Sequence, residues 1–291
     1  MNTLLCIGMG FSALALARQL DRSDWRIIGT STTHDGVERL KAMGIDAVRF
    51  DGSRAIDAAA LAAATHFLVS APPGADGDPA FRSSLDPLRK AARSIRWAAY
   101  LSTTGVYGDR AGEWVDEASP LTPTNERSKW RVAAEQGWLS LHEHHGLPIG
   151  VFRLAGIYGP GRNQIRSLLD GTARRIVKPG QLFSRIHVDD IAGALLASMG
   201  KIEGGEVFNV CDDEPAPPQD VIVYAAELLG IAPPPAESFA TAQLSPMARS
   251  FYNDSKRVSN AKLKAELAYR FRYPTYREGL QALLPFERAS A

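Results

Sequence analysis

The chain predicts an α/β fold: a doubly wound parallel sheet of the Rossmann kind with a smaller C-terminal lobe. Three observations predict it. Short apolar runs alternate with helical patterns through the first half. The first of these runs ends in Gly8-Met9-Gly10-Phe11-Ser12-Ala13. Past Gly161 the pattern turns irregular and richer in Pro, Gly and Arg. Strands that alternate with helices return in parallel through right-handed crossovers.

The elements follow in order. Leu4 to Gly8 is a buried-strand run, and Ser12 to Leu20 repeats apolar residues at helical spacing. Trp25 to Thr30 is a second strand. Asp35-Gly36-Val37-Glu38 resembles a capping box that opens a helix ending near Gly44. Ala47 to Phe50 is the third strand, residues 55–64 an Ala-rich helix, and His66 to Ser70 a strand ended by Pro72-Pro73. A helix over Leu85 to Ser94 precedes a strand at Trp97 to Ser102. A long helix from Ser128 to His145, closed by Gly146, precedes a strand at Ile149 to Leu154. The division expected is 1–162, with 186–211 returning to it, as the dinucleotide-binding domain, and 163–185 with 212–291 as a substrate lobe.

Composition narrows the class. The 291 residues carry 33 basic and 32 acidic side chains, a formal charge of +1, with no long basic stretch. That excludes an electrostatic footprint for nucleic acid. No apolar run reaches membrane-span length. Leu4 to Ala17 mimics a signal peptide, but no basic residue precedes it and Gly8-Met9-Gly10 interrupts it. Cys6 and Cys211 lie in apolar runs and read as small buried hydrophobes; without a disulfide framework, a reducing cytoplasm is expected. His142-Glu143-His144-His145 fills the last turn of a helix, where cations suit the dipole, so no metal is expected there.

Gly8-Met9-Gly10-Phe11-Ser12-Ala13 is a G-x-G-x-x-A element at the first strand-to-helix turn. Gly8 permits the tight turn, Gly10 lets backbone approach a diphosphate, Ala13 keeps helix and strand close, and Phe11 and Ser12 open the helix. The second strand runs out in Gly29-Thr30-Ser31-Thr32-Thr33-His34 without the carboxylate that holds a ribose 2′-hydroxyl. Ser31 and Thr32 hydroxyls with the following helix N-terminus would accept a 2′-phosphate, so NADP is favoured over NAD.

A longer series then resembles a known family. Tyr100-Leu101-Ser102-Thr103-Thr104-Gly105-Val106-Tyr107-Gly108 is similar to the S-[ST]-x-x-V-Y-G stretch of extended short-chain dehydrogenase/reductases. Ser128-Lys129, Arg153 to Gly161, Ile186-His187-Val188-Asp189-Asp190, Phe208-Asn209-Val210 and Ser259 to Lys262 follow in the family's order. The chain thus resembles the NAD-dependent epimerase/dehydratase superfamily over nearly its whole length. The resemblance implies that Thr103 hydrogen-bonds a substrate carbonyl or alcohol and that Lys129 holds the nicotinamide ribose. It places Asp51 at adenine, Ser70, Ala71 and Pro72 beside the adenosine ribose, and Ala155 and Ile157 beside the nicotinamide. Thr104, Arg162 and Arg185 fall on the substrate side, and homodimers through a helix pair are common in the family.

The departures weigh as much. The acid/base tyrosine four residues before Lys129 is Asn125, which has no ionisable proton. Asn125 and Lys129 would share a helix face if that turn is helical. Tyr107 and Tyr158 are candidate stand-ins, both expected to pack against the sheet. Thr104-Gly105 replaces the Asp-Glu pair of sugar 4,6-dehydratases, Gly156 replaces a substrate-side Asn, and Phe183 replaces an arginine. Arg162, Arg166, Arg174, Arg175 and Lys178 cluster where the second lobe begins and suit substrate phosphates. Two functions are expected to compete: an NAD(P)-dependent oxidoreductase or epimerase acting on a sugar-like or nucleotide-sugar small molecule, and a non-catalytic NADP-binding sensor.

Overall fold

Near-continuous apolar strands demand cover on both faces, and the topology supplies it. The structure, a computed structural model, describes residues 1–290. In chain order it runs β1 (Asn2–Ile7), α1 (Phe11–Gln19), β2 (Trp25–Ser31), α2 (His34–Ala42), β3 (Asp46–Arg49), α3 (Ala58–Ala63), β4 (His66–Val69), α4 (Pro79–Ala91), β5 (Trp97–Thr103) and β6 (Trp114–Val115). Then come α5 (Glu126–His145), β7 (Ile149–Leu154), β8 (Gly156–Tyr158), α6 (Gln164–Leu169), β9 (Arg175–Val177), β10 (Arg185–His187), α7 (Val188–Ser198) and β11 (Val207–Val210). The chain closes with α8 (Pro218–Leu229), β12 (Ala236–Ser238), α9 (Pro246–Phe251), β13 (Arg257–Val258), α10 (Ala261–Leu267) and α11 (Tyr276–Ala289).

Seven strands form one sheet in the order β11-β7-β5-β4-β1-β2-β3. Every pairing within it is parallel. Leu4, Leu5, Cys6 and Ile7 are fully buried because helices cover both sides. The order reverses at β1, whose neighbours are β2 on one side and β4 on the other. A crevice at the carboxyl ends of such strands is where doubly wound sheets bind ligands.

Several boundaries differ from the sequence reading, each for a local reason. The cap of α2 is Thr33, not Asp35: its hydroxyl accepts from the Gly36 amide at 3.1 Å, so the helix opens at His34. Asp57 caps α3, which shortens the Ala-rich helix to Ala58–Ala63. The α4 helix starts at Pro79, six residues before Leu85, under an Asp78 cap. Non-helical Ser84 and internal Pro87 break the periodicity that would have signalled it.

A separate apolar cluster gathers Tyr158, Ile165, Val221, Ala225, Tyr276 and Leu280, and β9 pairs in parallel with β12. Arg257–Leu267 packs apart from that cluster. In this segment β13 pairs with β6, and Val258, Leu263 and Leu267 join the core of the main sheet. Among the described residues no helix is long and apolar enough to cross a membrane.

Candidate active site

The glycine turn lies at the reversal of strand order. Gly8 has φ +83, and a Cβ there would fall 2.7 Å from the backbone nitrogen of Ala71. Both the Ser70 and Ala71 amides donate to the Ile7 carbonyl at 2.9 Å, which presses the end of β4 against the turn. Thr30 locks it from the other side: its hydroxyl accepts from the Gly8 amide at 2.8 Å and its carbonyl from the Met9 amide at 3.0 Å.

Gly10 differs from Gly8. Its backbone is extended, at φ −90 and ψ −164, and a Cβ there would meet nothing within 4 Å. Protein packing therefore does not require the glycine; the space above it does. Gly10 is also the N-cap of α1, with no side chain accepting from the first-turn amides and no acidic residue in that turn. Free amides at a helix start, over a gap that a side chain would fill, fit a diphosphate. Phe11 and the buried Ser12 and Ala13 begin the helix. Arg162, expected on the substrate side, reaches this turn from the start of the second lobe. Its guanidinium lies 5.9 Å from the Phe11 ring centroid.

At the adenosine end, Ser31 is half-buried, Thr32 and Pro72 are exposed, and Asp51 accepts from the Ser53 amide and hydroxyl at 3.0 and 2.6 Å. Those hydrogen bonds hold its carboxyl below the usual range. The N-terminus of α2, which the sequence offered to a phosphate, is partly capped. Thr33 takes the Gly36 amide, and Asp35 puts a negative charge in the first turn. A concavity of about 570 Å³ runs along the β3 edge, lined by Ile28, Lys41 and Val48 among others, but no glycine-turn residue lines it.

Around the expected reacting centre, Thr103 ends β5 and its hydroxyl oxygen accepts from the Gly105 amide at 3.1 Å. Its own proton remains available to donate outward. Thr104 opens the following 3₁₀ turn and is partly exposed. Asn125 is not helical: at φ −135 and ψ 158 it caps α5, its side-chain oxygen accepting from the Ser128 amide at 3.0 Å. The condition for sharing a helix face with Lys129, a helical turn at Asn125, is therefore not met. Lys129 is about half exposed, and its ammonium pairs with Glu126 at 2.7 Å. Ala155 is buried, its amide donating to the Val210 carbonyl, and Ile157 is half-buried in the β8–β10 pair.

The candidate tyrosines are sealed in. The Tyr107 hydroxyl donates to Asn209 at 2.7 Å and accepts from Arg153 at 2.9 Å, and burial pushes its pKa up to about 12. The Tyr158 hydroxyl is buried without a partner, against Gly279 of α11, and burial pushes it higher still. Neither presents a proton to a ligand. Sequence reasoning missed a second ionisable pair beside the cap. Asp254 accepts from the Thr124 hydroxyl at 2.8 Å and lies 3.7 Å from Lys256, whose pKa burial lowers. A separation of 130 residues hid that contact.

Arg185, expected to reach substrate, is turned inward. It is 6% exposed and donates to the carbonyls of Phe183 and Ala216 at 2.9 and 3.1 Å. His187 is buried beside it as the cap of α7, its Nδ1 accepting from the Asp189 amide, and burial pushes its pKa down to about 4. Nearby Asp212 is 1% exposed with one oxygen unpartnered, and burial raises its pKa to about 8 although Arg185 opposes the shift. Folded protein thus keeps that proton through a range in which the unfolded chain, near the ordinary 3.8, has lost it. Stability from this group is complete below pH 3.8 and drains away as pH rises towards 8, by at most about 1.4 kcal/mol per pH unit. Asp212→Asn is expected to flatten that decline between pH 5 and 8 in urea denaturation. Parallel pH dependences for the two proteins would refute it.

Residues 84–211 match the model of the NAD dependent epimerase/dehydratase family. The whole fold follows UDP-glucuronic acid 4-epimerase from Bacillus cereus, solved with UDP-glucuronic acid and NAD. The TM-score is 0.77 at 18% identity, over 99% of this chain and 100% of that one. The chain carries an epimerase/dehydratase family domain. A conserved protein of unknown function from Silicibacter pomeroyi DSS is 51% identical. It covers 100% of this chain and 99% of its own, with a TM-score of 0.91. Protein YeeZ of Escherichia coli K12 is 29% identical over 286 residues, 94% of this chain and 97% of YeeZ. Solved neighbours that share the fold at 18% identity, a dTDP-glucose 4,6-dehydratase from Bacillus anthracis among them, hold NAD.

Proposed function

We propose that this protein binds a nicotinamide dinucleotide, NADP ahead of NAD, and catalyses oxidoreduction or epimerisation at a carbonyl or alcohol of a sugar-like small molecule. The open space over Gly10, at an uncapped helix start, carries the reading. The bound dinucleotide would supply hydride acceptance or donation. Gly8, Gly10, Phe11 and Ser12 would take its diphosphate, with Arg162 adding charge. Ser31, Thr32 and Asp51 would line the adenosine end, joined by Ser70, Ala71 and Pro72.

Thr103 donates its free hydroxyl proton to the reacting oxygen, and Lys129 turns from Glu126 to the ribose. That exposed pair is worth little, so exchanging it is easy. With Tyr107 and Tyr158 sealed, the Lys129 ammonium would give one proton to water as it takes the alcohol's, which leaves its own charge unchanged. Nucleotide sugars are the substrate class the solved neighbours suggest, with Thr104 on that side.

Lys129→Ala is expected to lower turnover about a hundredfold on any sugar nucleotide found active in an NADPH or NADP panel, in line with loss of a general acid/base. Product analysis by NMR must accompany the absorbance trace, because epimerisation regenerates the cofactor. Unchanged turnover eliminates the assignment. A second reading rests on Asn125, whose amide is spent on capping α5: a dinucleotide sensor that kept the pocket and lost the chemistry. Tight binding without turnover across the panel favours it.

A further inference from the structure

Ser31, at the end of β2, is in register with Arg49 on β3. Residues paired across a parallel ladder point to the same face, as do residues two apart along a strand. The face is set by Gly29, two residues before Ser31: a Cβ on Gly29 would meet Met9 of the glycine turn at 3.0 Å and Ile45 at 3.2 Å. Arg49 therefore stands on the face that carries the turn, beside the strand end where a carboxylate would select an unphosphorylated ribose. No carboxylate is there; Ser31 is.

The Arg49 side chain is 66% exposed, and it pairs with Asp51 at 3.3 Å. An exposed pair of that length contributes little, whereas a phosphate dianion offers a guanidinium two parallel charge-assisted hydrogen bonds. Asp51 keeps its two bonds from Ser53 when the arginine leaves, so releasing it strands no charge. At the competing anion site, the start of α2, Thr33 already takes the Gly36 amide and Asp35 adds a negative charge.

We propose that Arg49, with Ser31 beside it, receives the 2′-phosphate of an adenosine dinucleotide and so makes this chain prefer NADP. The inference rests on the dinucleotide reading above and names the residue that sets its selectivity.

Calorimetric titration with adenosine 2′,5′-bisphosphate and with 5′-AMP, alongside NADPH and NADH, tests it. The wild type is expected to bind each 2′-phosphorylated ligand at least about tenfold more tightly than its counterpart, about 1.4 kcal/mol. Arg49→Gln is expected to erase that ratio while leaving 5′-AMP and NADH binding unchanged, and Arg49→Lys to keep part of it. An exposed side chain should leave the thermal midpoint of both variants in place. A ratio that survives in Arg49→Gln, or is absent from the wild type while NADH still binds, overturns the arginine's role alone. Failure of all four ligands to bind the wild type overturns the dinucleotide reading together with it.

Discussion

Gly10→Val is expected to weaken nicotinamide dinucleotide binding at least about a hundredfold, about 2.7 kcal/mol, while the folded protein remains intact. The backbone at Gly10 is extended, a conformation valine adopts without strain, and its Cβ would touch no protein atom within 4 Å. Only a ligand would meet it. Gly8→Val should behave oppositely. At φ +83 a β-branched residue is strained, and its Cβ would press on Ala71 at 2.7 to 3.1 Å. The cost is about 2–5 kcal/mol of stability, lowering the thermal midpoint by several degrees. Calorimetric affinity and thermal melting, measured on both variants, separate the roles. Normal affinity in Gly10→Val would remove the diphosphate from this turn.

Arg153→Leu is expected to destabilise the protein by about 3–5 kcal/mol, because it leaves Glu135 buried without its partner. The two side chains are 5% and 2% exposed. Arg153 gives Nε to both Glu135 oxygens at 3.1 and 3.2 Å, Nη2 to one of them at 2.7 Å, and Nη1 to the Tyr107 hydroxyl at 2.9 Å. Tyr107 then donates to Asn209, so one guanidinium ties α5, β7, the 3₁₀ turn after Thr103, and β11. Removing both charges in Arg153→Leu/Glu135→Leu should recover most of the loss, since no buried charge is then stranded. Urea denaturation of the two single variants and the double variant checks this. A double variant as unstable as the sum of the singles would mean the network is packing rather than charge.

Much of the fold was legible because its signals are local. An apolar run and two glycines at a strand end report the first β-α unit, and the Ile149–Leu154 strand and the Gly146 stop were readable to the residue. Helix starts were harder. A cap depends on which hydroxyl reaches which amide, so Thr33 displaced Asp35 and Asp78 opened α4 behind a proline and an irregular serine. The site divided in the same way. Gly8, Gly10 and Thr103 lie at strand ends, where sequence order and spatial position coincide. Arg162 and Arg185 do not: one swings onto Phe11 and the other turns inward to backbone carbonyls.

What the sequence by itself determined was the alternation of strands and helices, the glycine turn, and a side chain without an ionisable proton at Asn125. Each of these is written in neighbouring residues. Tertiary structure alone decided that Asn125 is a cap, that Tyr107 and Tyr158 are sealed, that Arg49 stands beside Ser31, and that Asp254 and Lys256 meet Thr124. The physical reason is that burial and long-range pairing set which polar atoms are already satisfied. A side chain's chemistry follows from what remains free once those bonds are made.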